Sequence, residues 1–300
     1  MTPDNDLRRW EIPEVAHFHE GPDGLVFLEI QTPLATARVF LQGAHVTHFQ
    51  PANERPVLFM SGSSIYATGK PIRGGVPVIF PWFGPRAGFP DAPAHGFARV
   101  RPWHVEQLFQ ASSGEVTLVL RLDSDERTRA EWPHDFILRH TITVGTTLNM
   151  ALSVENRSSE PFAFEEALHT YLVVEDVREV SITGLSGTDY LDKVDSFRRK
   201  TQDPTPIRIT GETDRVYLNT ETTCVADDPK AQRRLRVEKK GSATTVVWNP
   251  WIAKAAALPD FGNDEWPGML CIETANAAEN AVTLAPGDTH EMSARIAVER

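Results

Sequence analysis

The sequence predicts an all-β protein, a sandwich of mainly antiparallel strands with few short helices. Apolar and polar residues alternate with period two over 115–124, 136–144, 148–155 and 292–298. That alternation is typical of strands with one buried and one solvated face. Turn-forming residues separate the strand-like runs, at 22–24, 144–145, 156–159 and 286–288. Helix-like patterns are short and confined to the regions around 125–131 and 252–258.

The segment 61–103 differs from the rest of the chain. Gly and Pro recur every few residues, so the segment cannot be regular strand throughout. It is nevertheless too rich in Trp, Phe, Ile and Val to be a solvated linker. A long, apolar, irregular loop inside a compact domain usually carries function. Because no repeat or linker-like change of composition divides the chain, we expect one domain over residues 1–300.

The composition excludes several classes of function. Hydrophobic residues make up 41% and charged residues 24%, which is typical of a folded globular protein. A net charge of −11 argues against nucleic-acid and anionic-membrane partners, which require a basic surface. No apolar run approaches the roughly 18 residues of a membrane span. The polar, acidic start resembles no signal peptide. Together these features predict a cytoplasmic protein, and we expect it to be a monomer.

Two motifs of the irregular segment bring arginines together. KPIRGGVPVIFPWFGPR covers 70–86 and AHGFARVRPW covers 94–103, and they contain Arg73, Arg86, Arg99 and Arg101. A planar guanidinium can bind a phosphate through two charge-assisted hydrogen bonds, each contributing about 1.5–3 kcal/mol. The residues alone leave open whether a given arginine binds phosphate or is an ordinary surface residue.

Two further motifs contain candidate acid and base residues. His169 ends a strand-like run that also carries several acids, and it is a candidate general acid. Glu273 follows the apolar run 269–272, where partial desolvation should raise its pKa and its basicity. The alternatives are a structural histidine and an exposed glutamate at the end of a strand.

Metal-ligand patterns are incomplete. His17 and His19 share one face of a strand, and His45 and His48 are three residues apart, but no cysteine or clustered acid completes either set. Cys224 and Cys271 have neither metal spacing nor a disulfide framework. We expect no metal, and two buried free thiols.

In this order the motifs resemble the aldose 1-epimerase superfamily, and within it the glucose-6-phosphate 1-epimerase (hexose-6-phosphate mutarotase) branch. The matching segments are QGAHVTHFQP (42–51), KPIRGGVPVIFPWFG (70–84), HGFAR (95–99), EEALHTYL (165–172), TDRVYLN (213–219), WNPW (248–251) and CIETANA (271–277). The resemblance implies a galactose-mutarotase-like β-supersandwich without metal or cofactor. It also implies that the protein interconverts the α and β anomers of a hexose 6-phosphate, a small-molecule sugar phosphate.

The resemblance also implies roles for individual residues. The family's acid falls on His169 and its base on Glu273, while substrate contacts fall on Arg73, His95, Arg99 and Asp214. In such a site the Glu273 carboxylate takes the O1 proton while the His169 imidazolium protonates the ring oxygen, and we expect Glu273 to raise the pKa of His169. One departure is Ala94, where the branch usually has glutamine, so the preferred sugar stays open.

Three alternative functions are also compatible with the sequence. One is a mutarotase of unphosphorylated aldoses. Another is a glycosidase, which would need a second carboxylate facing Glu273, with Glu165 or Glu166 in that role. The third, from a different class, is a non-catalytic carbohydrate-binding sandwich.

Overall fold

The computed structural model of the protein describes residues 5–300, and this range contains 22 strands and three short α-helices. The strands are β1 Ala16–Glu20, β2 Val26–Gln31, β3 Ala35–Phe40, β4 His45–Pro51, β5 Val78–Ile79, β6 His104–Gln110, β7 Val116–Asp123, β8 Phe136–Val144, β9 Leu148–Asn156, β10 Phe162–Phe164, β11 Glu166–Leu168, β12 Tyr171–Val173, β13 Ser181–Thr183, β14 Asp189–Asp192, β15 Arg198–Thr201, β16 Thr213–Tyr217, β17 Cys224–Asp228, β18 Arg233–Lys240, β19 Thr244–Asn249, β20 Met269–Asn276, β21 Val282–Leu284 and β22 Thr289–Glu299. The helices are α1 Asn5–Arg8, α2 Glu126–Glu131 and α3 Trp251–Ala257. The predicted all-β class is confirmed.

The strands form two large sheets and two small ones. The first large sheet, here the long-strand sheet, has the order β13-β17-β18-β22-β9-β8-β7-β6. The second, here the site sheet, has the order β15-β14-β16-β19-β20-β11-β5, with β12 also paired to β20. Strands β1 to β4 form a four-stranded sheet in chain order, and β10 pairs with β21.

The two large sheets differ in how they bury their residues. Strands β8 and β9 alternate strictly between buried and partly exposed positions, which confirms the period-two prediction for this region. Strands β19 and β20 are buried at every position, as expected for strands covered on both faces. One apolar cluster contains Leu28 of the four-stranded sheet, Leu118 of the long-strand sheet and Ile272 of the site sheet.

The segment 61–103 is irregular, as predicted, with β5 and the 3-10 turn Ala98–Val100 as its regular elements. Two glycines let it lie directly on neighbouring backbone. A Cβ on Gly74 would be 2.5 Å from the carbonyl oxygen of Phe59, and one on Gly75 would be 2.3 Å from that of Val46. Both glycines have positive φ, which other residues adopt only with strain. This close approach fixes the position of Arg73.

Candidate active site

All six residues predicted from the sequence line one cavity of about 240 Å³. They are Arg73, His95, Arg99, His169, Asp214 and Glu273, and the other lining residues are Phe83, Ala94, Lys193, Trp248, Lys254 and Leu258. The predicted residues come from positions up to 200 apart in the chain, since Arg73 and Glu273 lie at opposite ends of that set. The cavity is therefore the candidate active site.

The site sheet positions three of the lining side chains. Its antiparallel register places Asp214 of β16 opposite Trp248 of β19, and Trp248 opposite Cys271 of β20. Directly opposed residues point to the same face of a sheet. Glu273 lies two residues beyond Cys271 and so shares this face. The strands thus bring two carboxylates and an indole ring to one wall of the cavity.

The HGFAR motif positions His95 and Arg99 through a tight backbone contact. The backbone N–H of His95 donates to the carbonyl of Gly84 at 2.8 Å, and that of Phe97 donates to the carbonyl of Phe80 at 3.0 Å. A Cβ on Gly96, whose φ is +70°, would lie 1.9 Å from the Phe80 oxygen. Only glycine fits there, which explains the residue between His95 and Phe97.

His169 and Glu273 form a buried pair. The Nδ1 atom of His169 lies 3.4 Å from Oε1 of Glu273, and their side chains are 9% and 2% exposed. The His169 ring also stacks on Tyr171, with centroids 4.7 Å apart and planes inclined by 11°. Within residues 5–300, neither His169 Nδ1 nor Glu273 Oε2 has a hydrogen-bond partner. Buried polar atoms without a hydrogen bond are rare in native structures, and their presence here points to a functional role for the pair.

Burial shifts the two pKa values in opposite directions. Desolvation raises the pKa of Glu273 well above its usual range, with Asp214 adding to the effect, as the sequence predicted. Desolvation also lowers the pKa of His169 well below its usual range, and the positive charges of Arg73 and Arg99 add to this. The prediction that Glu273 would raise the pKa of His169 was therefore wrong, because burial of the imidazole dominates and loops distant in sequence also bring Arg73 and Arg99 close to it.

The two pKa shifts favour one protonation form of the Glu273–His169 pair. The raised glutamate pKa and the lowered histidine pKa both favour a protonated Glu273 beside a neutral His169 over the ionic form of the pair. The pair then holds one proton, the same number as a carboxylate beside an imidazolium. Moving that proton between the two side chains interconverts the two forms, so the pair titrates as a unit.

The raised pKa of Glu273 predicts a pH-dependent stability change in the Glu273→Gln variant. Between the ordinary glutamate pKa and the raised native value, the folded protein binds one more proton than the unfolded chain, so stability falls as pH rises, by up to about 1.4 kcal/mol per pH unit. Glutamine does not titrate. As the pH rises above the ordinary pKa of glutamate, the free energy of unfolding of the variant should therefore increase relative to that of the parent. Denaturant unfolding at several pH values measures this difference. A difference that shrinks with rising pH would show that Glu273 is ionised in the folded protein.

His95 is held as a neutral hydrogen-bond donor. The backbone N–H of Gly84 donates to its Nδ1 at 3.2 Å. Since a backbone N–H can only donate, Nδ1 must be unprotonated and the proton of the neutral ring is on Nε2. Burial lowers the pKa of His95 well below its usual range, and the charges of Arg99 and Lys193 lower it further. The ring therefore offers Nε2–H as a donor, which suits a sugar oxygen.

The two predicted arginines are held differently. Arg73 donates from Nη1 to the Tyr171 hydroxyl at 3.1 Å, and its Nη2 is 3.1 Å from Oδ1 of Asp260. Arg99 donates from Nη2 to the backbone carbonyl of Ala94 at 2.7 Å, and no carboxylate of residues 5–300 lies within ion-pair distance of it. Burial lowers the pKa of Arg99 to about 10, so it stays charged at neutral pH. Its charge is the one most available to an anionic ligand.

Asp214 forms an ion pair that the sequence did not predict. Its Oδ2 lies 2.8 Å from Nζ of Lys193, and the two side chains are 15% and 22% exposed. The Lys193 ammonium also lies 5.5 Å from the centre of the Phe83 ring. Lys193 follows no recognisable motif, and a lysine in a turn is ordinarily solvated. No signal in the sequence distinguishes it, because its role depends on contact with a strand more than twenty residues later.

Arg86 and Arg101 lie outside this cavity. Both line a separate groove of about 750 Å³, and both hydrogen-bond to Glu131, Arg86 to its backbone oxygen and Arg101 to its carboxylate. Of the four arginines, the structure therefore brings Arg73 and Arg99 to the candidate site. Ala94 lines the site itself, so the missing glutamine side chain leaves room beside Arg99.

Other features of the chain bear on cofactors and membranes. No group of three or more His, Cys, Asp or Glu side chains in residues 5–300 is arranged as a metal site. Cys224 and Cys271 are both free and buried, as predicted. Across the described range, no helix combines the length and the apolar character that crossing a membrane requires.

Comparison with known proteins shows an extensive similarity. The family model described as aldose 1-epimerase matches residues 27–297. An Escherichia coli protein named "Putative glucose-6-phosphate 1-epimerase" is 37% identical over 257 residues, which cover 86% of this chain and 85% of that protein. The crystal structure of a Salmonella typhimurium protein described as a "putative mutarotase" is 32% identical, with a TM-score of 0.90, and the match covers 97% of this chain and 95% of that one.

A more distant structure supports the fold alone. The galactose mutarotase-like protein of Clostridium acetobutylicum is 14% identical, with a TM-score of 0.72, and the match covers 96% of this chain and 100% of that one. The predicted galactose-mutarotase-like sandwich is therefore confirmed. Since the family model spans nearly the whole chain and the relatives match over most of their length, the chain belongs to the aldose 1-epimerase family of isomerases.

Proposed function

We propose that this protein interconverts the α and β anomers of a hexose 6-phosphate, with D-glucose 6-phosphate as the first substrate to test. The observation that carries the proposal is that the buried His169–Glu273 pair shares one small cavity with Arg73 and Arg99. The pair supplies acid and base, and the arginines supply charge for a phosphate. The names of the relatives agree with this substrate.

The reaction requires two coupled proton transfers. For ring opening, ionised Glu273 takes the proton from the O1 hydroxyl while charged His169 gives one to the ring oxygen O5, and the C1–O5 bond breaks. The products are the open-chain aldehyde, protonated Glu273 and neutral His169. Rotation about C1–C2 then exposes the other face of the aldehyde. For closure His169 takes the proton back from the O5 hydroxyl as O5 attacks C1, and Glu273 returns its proton to O1.

The one-proton pair accounts for both halves of this cycle. Its neutral form, favoured by burial, is the form present with the open chain, and its ionic form is the one that acts on either ring anomer. Each proton transfer by a positioned group accelerates a reaction by roughly 10²–10⁴-fold. That magnitude is sufficient here, because mutarotation already proceeds unaided in water.

The positions of acid and base orient the sugar in the cavity. C6 is attached to C5, which carries O5, so the phosphate lies on the His169 side of the ring. Arg73 is linked to His169 through Tyr171, which accepts its hydrogen bond and stacks on the imidazole, and Arg99 lines the same cavity. Arg99, which has no carboxylate partner within residues 5–300, would bind the phosphate directly. Arg73, already neutralised by Asp260, would contribute its remaining hydrogen bonds.

Replacing Arg99 tests the phosphate assignment. We expect Arg99→Ala to lower kcat/KM for glucose 6-phosphate about 10- to 100-fold, the loss of one or two charge-assisted hydrogen bonds, while the rate with glucose changes little. The measurement is anomer interconversion with both sugars. Arg101→Ala is the matched control, since Arg101 lies in the separate groove. Equal losses on both sugars would contradict the phosphate assignment and favour a mutarotase of unphosphorylated aldoses.

The structure weakens the glycosidase alternative. The carboxylate of Glu165 accepts hydrogen bonds from the backbone N–H groups of Phe83 and Ala278. Glu166 is fully buried against His290, with Nε2 to Oε1 at 2.9 Å. Neither lines the cavity, so neither is placed to act opposite Glu273. A non-catalytic binding module would bind the sugar phosphate without accelerating anomer exchange.

We further propose that the protein acts in the cytoplasm as a monomer, on a small-molecule sugar phosphate and without nucleic-acid, membrane, metal or cofactor partners. Its net charge of −11 supports the first two exclusions. Sedimentation analysis would test the monomer, and activity after treatment with a chelator would test independence of metal.

A further inference from the structure

The cavity has two electrostatically different ends. The arginine end contains Arg73 and Arg99, and Arg73 donates a hydrogen bond to Tyr171, whose ring stacks on His169. The lysine end contains Lys193 and Asp214, which are the charged groups acting on Glu273. In the site sheet, β19 and β16 with Asp214 lie on one side of β20 and Glu273, whereas β11, which leads directly into His169, pairs with the other edge of β20. A sugar ring held between the acid and the base would therefore span the two ends.

Lys193 is fixed before any substrate arrives. It begins the 3-10 turn Lys193–Asp195, whose preceding residue Asp192 accepts a hydrogen bond from the backbone N–H of Asp195 at 3.3 Å. The Lys200 ammonium binds Asp192 at 2.7 Å and so anchors the turn to β15. A side chain carried by a fixed turn loses less freedom when it binds a ligand.

The Lys193–Asp214 pair retains capacity for further hydrogen bonds. The ammonium has three donors, and the contact with Asp214 Oδ2 at 2.8 Å uses one of them. The carboxylate keeps its second oxygen for another donor. A sugar hydroxyl can donate and accept at once, so it can bind both partners. A charged donor and acceptor side by side in a mostly buried site discriminate strongly against a ligand that lacks the hydroxyl.

The chemistry of the ring determines which hydroxyl reaches this pair. With O1 at Glu273 and O5 at His169, C6 lies on the histidine side of the ring. C2 is bonded to C1 on the side away from O5, so its hydroxyl lies towards the lysine end. We propose that Lys193 is a specificity-determining residue that, with Asp214, binds the C2 hydroxyl of the sugar phosphate. This rests on the proposed function, because it uses the roles of Glu273 and His169 to orient the ring.

The test compares glucose 6-phosphate with 2-deoxyglucose 6-phosphate, each relative to its uncatalysed anomer exchange. For the parent protein we expect kcat/KM to be about 10- to 100-fold lower with the 2-deoxy sugar. Lys193→Met keeps the length of the side chain without its charge. In this variant we expect the ratio of kcat/KM for glucose 6-phosphate to kcat/KM for 2-deoxyglucose 6-phosphate to fall severalfold or more. Lys193→Arg should restore part of it. Lys240→Met, an exposed lysine of the long-strand sheet, is the matched control and should leave the ratio unchanged.

Two results would overturn the inference. One is a parent protein that processes both sugars equally well, which needs no variant and so does not depend on folding. The other is a Lys193→Met variant that loses activity on glucose 6-phosphate but keeps it on glucose, which would make Lys193 a phosphate ligand. Failure of the proposed function itself is distinguishable, since the parent protein would then accelerate neither phosphorylated sugar.

Discussion

Glu273→Gln is expected to lower kcat for anomer interconversion by about 10²–10⁴-fold, close to the uncatalysed rate. The amide has nearly the same shape as the carboxyl group but can neither take the O1 proton nor return it. Because the side chain is 2% exposed, no water reaches it easily to substitute as the base. The measurement is the rate of anomer exchange at saturating sugar phosphate.

A control variant distinguishes the loss of the catalytic base from a loss of folding. Glu279→Gln removes an exposed carboxylate three residues beyond β20, and we expect it to retain full activity. Glu273→Gln should fold with a circular dichroism spectrum like that of the parent. A folded Glu273→Gln protein with substantial activity would rule out Glu273 as the base.

Gly96→Ala should destabilise the protein by about 2–4 kcal/mol and abolish most of its activity. The new Cβ would lie 1.9 Å from the carbonyl oxygen of Phe80, in addition to the cost of a positive φ of 70° for alanine. Relief of that clash must move the backbone between His95 and Arg99, and both side chains line the cavity. Denaturant unfolding measures the stability, and anomer exchange measures the activity.

Gly88→Ala is the matched control for the backbone contact. Gly88 has a similar φ of 78°, but its Cβ would have no atom within 4 Å. We therefore expect it to cost only the conformational strain, about 1 kcal/mol. If the two variants were equally stable and equally active, close packing at Gly96 would not be what positions the HGFAR motif.

Much of the fold follows from local sequence. The alternation in β7, β8, β9 and β22 predicts strands because each has one buried and one solvated face. The same reasoning could not predict β19 and β20, which are buried at every position and so carry no period-two signal. The strands that hold Trp248 and Glu273 were located by motif, since their composition alone does not distinguish them from other buried segments.

The sequence predicts which residues line the candidate site, but it does not predict the ion pairs and pKa shifts within it. Motifs identified six lining residues, and the structure places all of them in one cavity. Lys193 was missed because its contact with Asp214 joins two elements that no spacing rule connects. The lowered pKa of His169 has a related cause, since both the burial of the imidazole and the approach of Arg73 and Arg99, from a loop about seventy or more residues earlier in the chain, depend on distant contacts. Proximity across loops depends on the tertiary fold.

The most direct test of the central claim is exchange NMR on glucose 6-phosphate at anomeric equilibrium, with glucose as the comparison sugar. The two anomeric proton signals should exchange in the presence of catalytic amounts of the protein, far faster than in buffer, and much faster than the signals of glucose at equal concentration. Because no net reaction occurs, the measurement needs no coupling enzyme. Binding of glucose 6-phosphate without any acceleration of exchange would contradict the account and identify the protein as a carbohydrate-binding module.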